Sequence, residues 1–137
     1  MILVDTSVWL DFFADAPTPE VMMLADKIDL GEVIVGDLML MEMLQGCRSD
    51  RQFRDIQRIT AAFDHVAICD RHMAVEAASN YRSLRAKGIT IRKTIDTLIA
   101  TRCIIDRLPL LYSDRDFDPF VQHLGLRSAM DIPTGVN

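Results

Sequence analysis

The chain has 137 residues, of which half are hydrophobic and 26% are charged, and its 15 basic and 20 acidic residues give a formal charge of −5. This length and composition are typical of one globular domain with a sizeable core, and the negative charge counts against nucleic-acid binding through overall positive charge. No apolar run approaches the ~20 residues that span a bilayer, and the N-terminus lacks a secretory signal pattern. We therefore expect a single domain over residues 1–137, cytoplasmic and without a membrane partner.

The first predicted element is a short strand at Ile2–Val4, where apolar residues follow one another without polar alternation. Such a run is typical of a strand buried on both faces, as in a parallel sheet. Similar runs predict strands at residues 33–35, 66–68 and 110–112. Helices are predicted over residues 8–14, 19–30, 38–44, 49–63, 70–87 and 94–107, with N-caps at Thr18, Asp37, Ser49, Asp70 and Thr94. This alternation predicts an α/β domain with a central parallel sheet of short strands flanked by helices.

Acidic residues follow the first and last predicted strands. Asp5 comes directly after Val4, and Asp114 comes shortly after the strand at residues 110–112, with Asp116 two residues further on. The carboxyl ends of parallel strands meet at one edge of a sheet, and ligands bind there. The sequence therefore predicts that Asp5 and Asp114 lie together at that edge.

Two further acids occur on predicted helices. Glu42 is the only charged residue in the apolar run Leu38–Leu44. A helix that is apolar nearly all round is buried, and a buried carboxylate must be paired, protonated or bound to a cation. No Lys or Arg lies at helical spacing from Glu42, so we expect its partner to come from elsewhere in the fold. Asp96 falls in the first turn of the helix predicted at residues 94–107.

Each acid also has a purely structural explanation when it is taken alone. Asp5 can serve as a turn residue at a strand end, and Asp96 as an acid that the helix dipole stabilises. Asp114 and Asp116 can cap a short helix. Glu42 is the hardest to explain in this way, and the structural account needs four unrelated coincidences at one edge of the sheet. We interpret the acids as one site.

Carboxylates that are brought together repel one another, which raises their pKa values unless a cation lies among them. An all-oxygen site suits Mg²⁺ or Mn²⁺ better than zinc. His65, His72 and His123 lack the spacing of a zinc site. Mg²⁺ held by several acids activates water and stabilises phosphoryl charge, which is the chemistry of nucleases.

Four strings along the chain resemble those of PIN-domain ribonucleases and, more narrowly, those of the VapC toxins of bacterial type II toxin–antitoxin systems. They are Val4-Asp-Thr-Ser-Val-Trp9, Glu42-Met-Leu-Gln-Gly46, Ile95-Asp-Thr-Leu-Ile-Ala100 and Ser113-Asp-Arg-Asp-Phe117. Each string alone is a weak signal. Their order and spacing over nearly the whole chain make the resemblance specific.

The resemblance implies a PIN fold and endonucleolytic cleavage of RNA that depends on Mg²⁺, or on Mn²⁺ as a substitute. The catalytic residues that it implies are Asp5, Glu42, Asp96 and Asp114. Of these, Asp5, Asp96 and Asp114 would hold the metal. Asp116 would be accessory, and Thr6 or Ser7 would orient Asp5 or a water molecule. The resemblance also implies a homodimer and a cognate VapB-type antitoxin whose C-terminal segment covers the acidic groove.

Basic residues cluster in one stretch without acids. Residues 77–95 contain no Asp or Glu, and their basic members are Arg82, Arg85, Lys87, Arg92 and Lys93. A local basic patch can hold phosphates on a protein of negative net charge, although a solvated face explains the same pattern from charge alone. With RNA as the substrate, we predict that Arg92, Lys93 and Arg85 hold its backbone.

Three other classes of protein share parts of this pattern. A phosphatase of the haloacid dehalogenase type opens with a strand ending in Asp, but it needs a second acid two residues on, where this chain has Ser7. A receiver domain needs a phosphorylatable Asp after its third strand, in a setting that Asp70 lacks. A binding module with this fold but without turnover is disfavoured only by the intact acids. Loss of metal-dependent cleavage in Asp5→Asn or Asp96→Asn would distinguish an enzyme from such a module.

Overall fold

A computed structural model, which describes residues 1–132, has a four-stranded parallel sheet with helices on both faces. The strands are β1 (Ile2–Val4), β2 (Val33–Gly36), β3 (Asp64–Val66) and β4 (Leu110–Leu111), in the order β3-β2-β1-β4. The helices in this part of the chain are α1 (Thr6–Phe13), α2 (Pro19–Asp29), α3 (Asp37–Gln45), α4 (Asp50–Thr60), α5 (Arg71–Ala86), α6 (Thr94–Asp106) and α7 (Asp118–Leu124). Short 3₁₀ turns occupy Arg115–Phe117 and Ala129–Asp131. The predicted α/β class with a central parallel sheet is confirmed.

The strand β1 contributes to a hydrophobic core on each face of the sheet. Leu3 belongs to one core, together with Leu84 of α5 and Ile99 of α6. Val4 belongs to the other, together with Trp9 of α1. All of these side chains are fully buried. Because successive side chains of a strand point to opposite faces, a strand covered on both sides needs an uninterrupted apolar run. Within residues 1–132, none of the helices combines the length and the apolar character that crossing a bilayer requires.

The third strand lies two residues earlier than predicted. The strand expected at residues 66–68 is observed at Asp64–Val66, where it pairs with β2. It is an edge strand and its first two residues are exposed, so it has no apolar run by which to recognise it. Ile68 is instead a buried core residue whose backbone N–H donates to Asp37 Oδ1 at 2.9 Å.

Several helices begin at residues other than those predicted. The N-caps predicted at Thr18, Ser49 and Asp70 are confirmed, since each side chain accepts a backbone hydrogen bond from the first turn of its helix. The helix α1 begins two residues early, at Thr6, because Asp5 serves as its N-cap. Asp37 and Thr94 are the first residues of α3 and α6 and not their caps. Lys93 occupies the N-cap position of α6 without a side-chain hydrogen bond.

Candidate active site

An open cavity of about 440 Å³ lies where β1 and β4 end. The four acids that the sequence predicts as catalytic, Asp5, Glu42, Asp96 and Asp114, all line it. Their convergence follows from the topology, because β1 and β4 are parallel neighbours whose carboxyl ends meet. The starts of α1 and α6 and one face of α3 close the cavity around this edge.

Asp5 lies between β1 and α1, and both elements fix its position. It ends β1, caps α1 and is only 7% exposed. Ser7 Oγ donates a short hydrogen bond of 2.6 Å to Asp5 Oδ2, and the Ser7 backbone N–H points to the same oxygen at 3.4 Å. Burial raises the pKa of Asp5 above its usual value, while the bonds from Ser7 oppose that rise and the charge of Glu42 adds to it. Asp5 is therefore a rigidly held carboxyl that gives up its proton reluctantly.

Glu42 is held by a residue that lies 36 positions earlier in the sequence. The prediction that its helix is apolar and buried nearly all round is wrong: α3 buries Met39 and Met43, whereas Met41 is exposed and Glu42 is half-buried. The expected partner from elsewhere in the fold is Thr6, whose Oγ1 donates to Glu42 Oε1 at 3.0 Å. Each of the two neighbouring hydroxyls thus positions a different acid: Ser7 positions Asp5, and Thr6 positions Glu42.

Three acids form a close group, and two of them, Asp96 and Asp114, line the cavity. Carboxylate oxygens of Asp96, Asp114 and Asp116 all lie within 4.8 Å of one another. Asp114 is fixed by its own turn, since its Oδ1 accepts from the backbone N–H of Asp116 at 2.9 Å. The close group therefore includes Asp116, which the sequence suggests only as an accessory residue, and leaves out Asp5.

Asp96 is the most buried of the three acids. It is 7% exposed, and its Oδ2 is buried without a hydrogen-bond partner in the part of the chain that the structure describes. Burial, followed by the charge of Asp5, raises the pKa of Asp96 from 3.8 to about 6, although Lys93 opposes this rise. An unpartnered carboxylate oxygen beside two other acids fits a divalent cation, which would supply the missing partner and neutralise the repulsion.

The predicted RNA-binding residues are separated by the structure. Lys93 lines the acidic cavity, and its Nζ lies 3.8 Å from Asp114 Oδ2. Arg92 is exposed and does not line the cavity. Arg85 is also exposed and lines a different cavity, between α5 and α6. Of the three, only Lys93 lies beside the acids.

Two apolar residues of the cavity were missed by sequence reasoning. Leu10 and Ile95 both line it, and Leu10 is 47% exposed. Leu10 lies four residues after Thr6, which places the two on one face of α1. This relation depends on the start of α1 at Thr6, two residues before the predicted start.

Clustered carboxylates at the carboxyl edge of a parallel sheet, two of them held by neighbouring hydroxyls, define an acidic site of the kind that binds divalent cations in phosphodiester-cleaving enzymes. Residues 2–120 match the PIN domain, and the chain belongs to the PIN-domain family, whose nucleases generally use a divalent metal ion. The resemblance found in the sequence is thereby confirmed.

Known proteins similar to this chain include VapC ribonucleases. Ribonuclease VapC11 of Mycobacterium tuberculosis and a VapC ribonuclease of Mycobacterium bovis are each 28% identical over 132 residues, which covers 94% of this chain and 98% of theirs. Among solved structures, VapBC2 from Rickettsia felis, bound to a DNA fragment from its promoter, has a TM-score of 0.73 at 16% identity. That match covers 93% of this chain and 97% of the other, and it shows the shared fold.

Proposed function

We propose that this protein is a Mg²⁺-dependent endoribonuclease and the toxin of a type II toxin–antitoxin pair. The observation that carries the proposal is the convergence of Asp5, Glu42, Asp96 and Asp114 on one cavity at the sheet edge. The two mycobacterial relatives, similar over nearly the whole chain, are named as ribonucleases. The acids supply the negative charge that a hard cation requires, and the relatives indicate RNA as the substrate.

The residues suited to hold Mg²⁺, or Mn²⁺ in its place, are Asp96, Asp114 and Asp116, with Asp5 beside them. When bound, the cation supplies charge neutralisation, activation of water and stabilisation of the phosphoryl oxygens. Ser7 keeps Asp5 oriented through its bond of 2.6 Å. Burial of Asp5 and Asp96 limits the bulk water that competes for their oxygens.

Glu42 is suited to orient the attacking water molecule. Its Oε1 accepts the hydrogen bond from Thr6, which fixes the side chain. Its Oε2 accepts no hydrogen bond from residues 1–132 and can therefore accept one from water. Its half-buried position on the cavity wall keeps it within reach of solvent. Glu42 is also outside the close group of three acids, which supports a role with water over one as a cation ligand.

Lys93 is suited to hold an RNA phosphate at the rim of the cavity. Its side chain is 64% exposed, so its ammonium group can turn from Asp114 to an incoming phosphate. Arg92 and Arg85 would extend this contact along the RNA backbone, away from the acids.

The proposal includes the partners and setting expected of such a toxin. The Rickettsia felis neighbour is a VapBC complex, and we infer that a VapB-type antitoxin binds this chain and covers its acidic cavity. We further propose that the chain is a single domain over residues 1–137, that it forms a homodimer, and that it acts on RNA in the cytoplasm.

The test is cleavage of total cellular RNA by the purified protein, free of any partner, in Mg²⁺, in Mn²⁺ and in EDTA. The expected result is discrete fragments with either metal and none with EDTA. Asp96→Asn should abolish the fragments, whereas Asp26→Asn, which changes an exposed acid on α2, should not. Fragments that persist in EDTA or with Asp96→Asn would come from a contaminating nuclease. A folded protein that binds Mg²⁺ and cuts no RNA would contradict the proposal.

A further inference from the structure

A second cavity lies beside the acidic one and is not used by the proposed chemistry. It has a volume of about 510 Å³ and is formed between α5 and α6. Thr94, at the start of α6, lines both cavities, so the two are adjacent. A volume of this size falls within the ~300–1,000 Å³ range of small-molecule sites.

The lining of this second cavity offers flat and apolar surfaces. Its apolar part includes Ala77 and Leu98, and beside them Tyr81 is half-buried. The guanidinium of Arg85 lies 5.7 Å from the centroid of the Tyr81 ring. Aromatic rings and guanidinium planes are the surfaces on which unpaired nucleobases stack. The cavity therefore has the chemistry of a base-stacking site.

A buried hydroxyl in the lining lacks a partner. Thr97 is only 2% exposed, and its Oγ1 makes no hydrogen bond with any residue that the structure describes. Thr101, one turn later on the same helix, is fully buried but satisfied: it donates to the Thr97 carbonyl oxygen at 2.6 Å and accepts from Asn80 Nδ2 at 3.0 Å. Buried polar atoms are rarely left without a partner. The polar edge of a base in this cavity would supply one for Thr97.

The charge of this surface favours RNA over a protein partner. Arg82 and Arg85 are exposed and line the cavity, and none of the described residues in its lining carries a carboxylate. A second protein surface packed here would have to bring acids of its own, because guanidinium groups are costly to bury unpaired. Single-stranded RNA carries both a stacking group and a negative phosphate in every nucleotide.

We propose that the second cavity is a nucleobase subsite, which holds an unpaired base of the RNA beside the scissile phosphate and gives the enzyme a base preference at that position. The base stacks on Tyr81, its polar edge meets Thr97, and Arg82 with Arg85 holds the flanking phosphates. This proposal rests on the proposed ribonuclease function, which places the scissile phosphate in the adjacent acidic cavity.

The first test measures binding alone, in EDTA, with fluorescently labelled single-stranded RNA and with an abasic oligonucleotide of the same length. The wild-type chain should bind the intact RNA about 5- to 150-fold more tightly than the abasic one, the range expected for stacking of one base. Tyr81→Leu should remove most of this ratio and Tyr81→Phe should keep it. Thr97→Val, which preserves the side-chain shape, should change the ranking of the four homopolymers. Val75→Ala, an exposed position of α5 outside the cavity, is the matched control.

The second test maps cleavage sites in a random-sequence RNA pool with the same variants. Loss of the base preference in Tyr81→Leu or Thr97→Val, with metal-dependent cutting retained, would support the subsite. Identical preferences and identical abasic ratios in all variants would overturn it while leaving the nuclease intact. A base-dependent binding ratio in a protein that cuts no RNA would support the subsite and overturn the nuclease. A Tyr81→Leu variant that changes from dimer to monomer in sedimentation equilibrium would assign this surface to contacts between copies and overturn the proposal.

Discussion

Thr6 Oγ1 donates a hydrogen bond of 3.0 Å to Glu42 Oε1 across 36 positions of sequence. The bond joins the start of α1 to the middle of α3, and it fixes the Glu42 carboxylate at the wall of the acidic cavity. The next residue, Ser7, makes a similar bond of 2.6 Å to Asp5. Two adjacent hydroxyls therefore hold two different acids, and each should affect a different step of the proposed reaction.

Replacing Thr6 with Val removes the donor to Glu42 and keeps the size and branching of the side chain. A hydrogen bond to a charged group contributes about 1.5–3 kcal/mol, so we expect kcat for RNA cleavage to fall by roughly 10- to 100-fold. KM should change little, because Glu42 is proposed to orient water and not RNA. Steady-state cleavage of a labelled RNA oligonucleotide checks this, with Thr6→Ser as the variant that should keep most activity. Equal kcat values for Thr6→Val and the wild type would show that the hydrogen bond from Thr6 to Glu42 does not contribute to catalysis.

Replacing Ser7 with Ala should act on metal binding. Loss of a residue that orients a metal ligand typically costs 10- to 100-fold in affinity, and we expect a decrease of about that size for Mg²⁺ and Mn²⁺. Isothermal titration calorimetry in the absence of RNA measures it directly. The control is Ser83→Ala, an exposed serine on α5. If Ser7→Ala binds both cations as tightly as the wild type does, the hydrogen bond from Ser7 to Asp5 does not contribute to metal binding.

The raised pKa of Asp96 predicts a stability that depends on pH. Burial and the charge of Asp5 raise this pKa from 3.8 to about 6. A carboxyl with a higher pKa in the folded chain than in the unfolded chain binds its proton more tightly when folded. Its contribution to the free energy of unfolding is therefore fully present below about pH 4, is lost as the pH rises towards 6, and stays lost above that.

Asp96→Asn removes this pH-dependent loss. At about pH 7.5 in EDTA, we expect the variant to have a free energy of unfolding higher than that of the wild type by on the order of 1–3 kcal/mol. The gain should shrink to near zero below about pH 4. Urea unfolding at the two pH values measures it. Added Mg²⁺ should stabilise the wild type more than the variant, because ligands stabilise the state that binds them. A difference that is the same at both pH values would show that Asp96 is not perturbed in this way.

The class of fold and the meeting of the acids could be predicted because both follow from the parallel sheet. The uninterrupted apolar run Ile2–Val4 required cover on both faces, and Asp5 and Asp114 follow neighbouring parallel strands. By contrast, β3 is an edge strand with exposed residues, so its position was set by pairing with β2 and not by its own apolar pattern. An apolar pattern therefore predicts the position of a strand only where burial of that strand's own side chains determines it.

The details of the cavity depend on packing that no local pattern contains. The bond between Thr6 and Glu42 forms only because α1 and α3 pack with these two residues side by side. The sequence predicted only that Glu42 needed a partner. Likewise, the stretch without acids at residues 77–95 predicts basic side chains, but it does not predict which way each of them points. Lys93 turned out to face Asp114, while Arg85 lines the neighbouring cavity.

Two roles fit the position of Lys93, and two measurements distinguish between them. Its Nζ lies 3.8 Å from Asp114 Oδ2 in a side chain that is 64% exposed. If it holds an RNA phosphate, Lys93→Gln should weaken RNA binding and reduce the slope of log affinity against log salt by about 0.7, the value for one contact to a single strand. Adding Arg92→Gln should reduce the slope further. Arg58→Gln, an exposed arginine of α4, should leave it unchanged.

If Lys93 serves instead to offset the charge of Asp114, its loss leaves three acids with less positive charge nearby. Lys93→Gln should then bind Mg²⁺ more tightly, because a competing cation has been removed, and the salt dependence of RNA binding should not change. Calorimetric titration with Mg²⁺ beside the salt series therefore assigns the role. A variant that alters neither Mg²⁺ affinity nor the salt slope would leave Lys93 outside the function of the site.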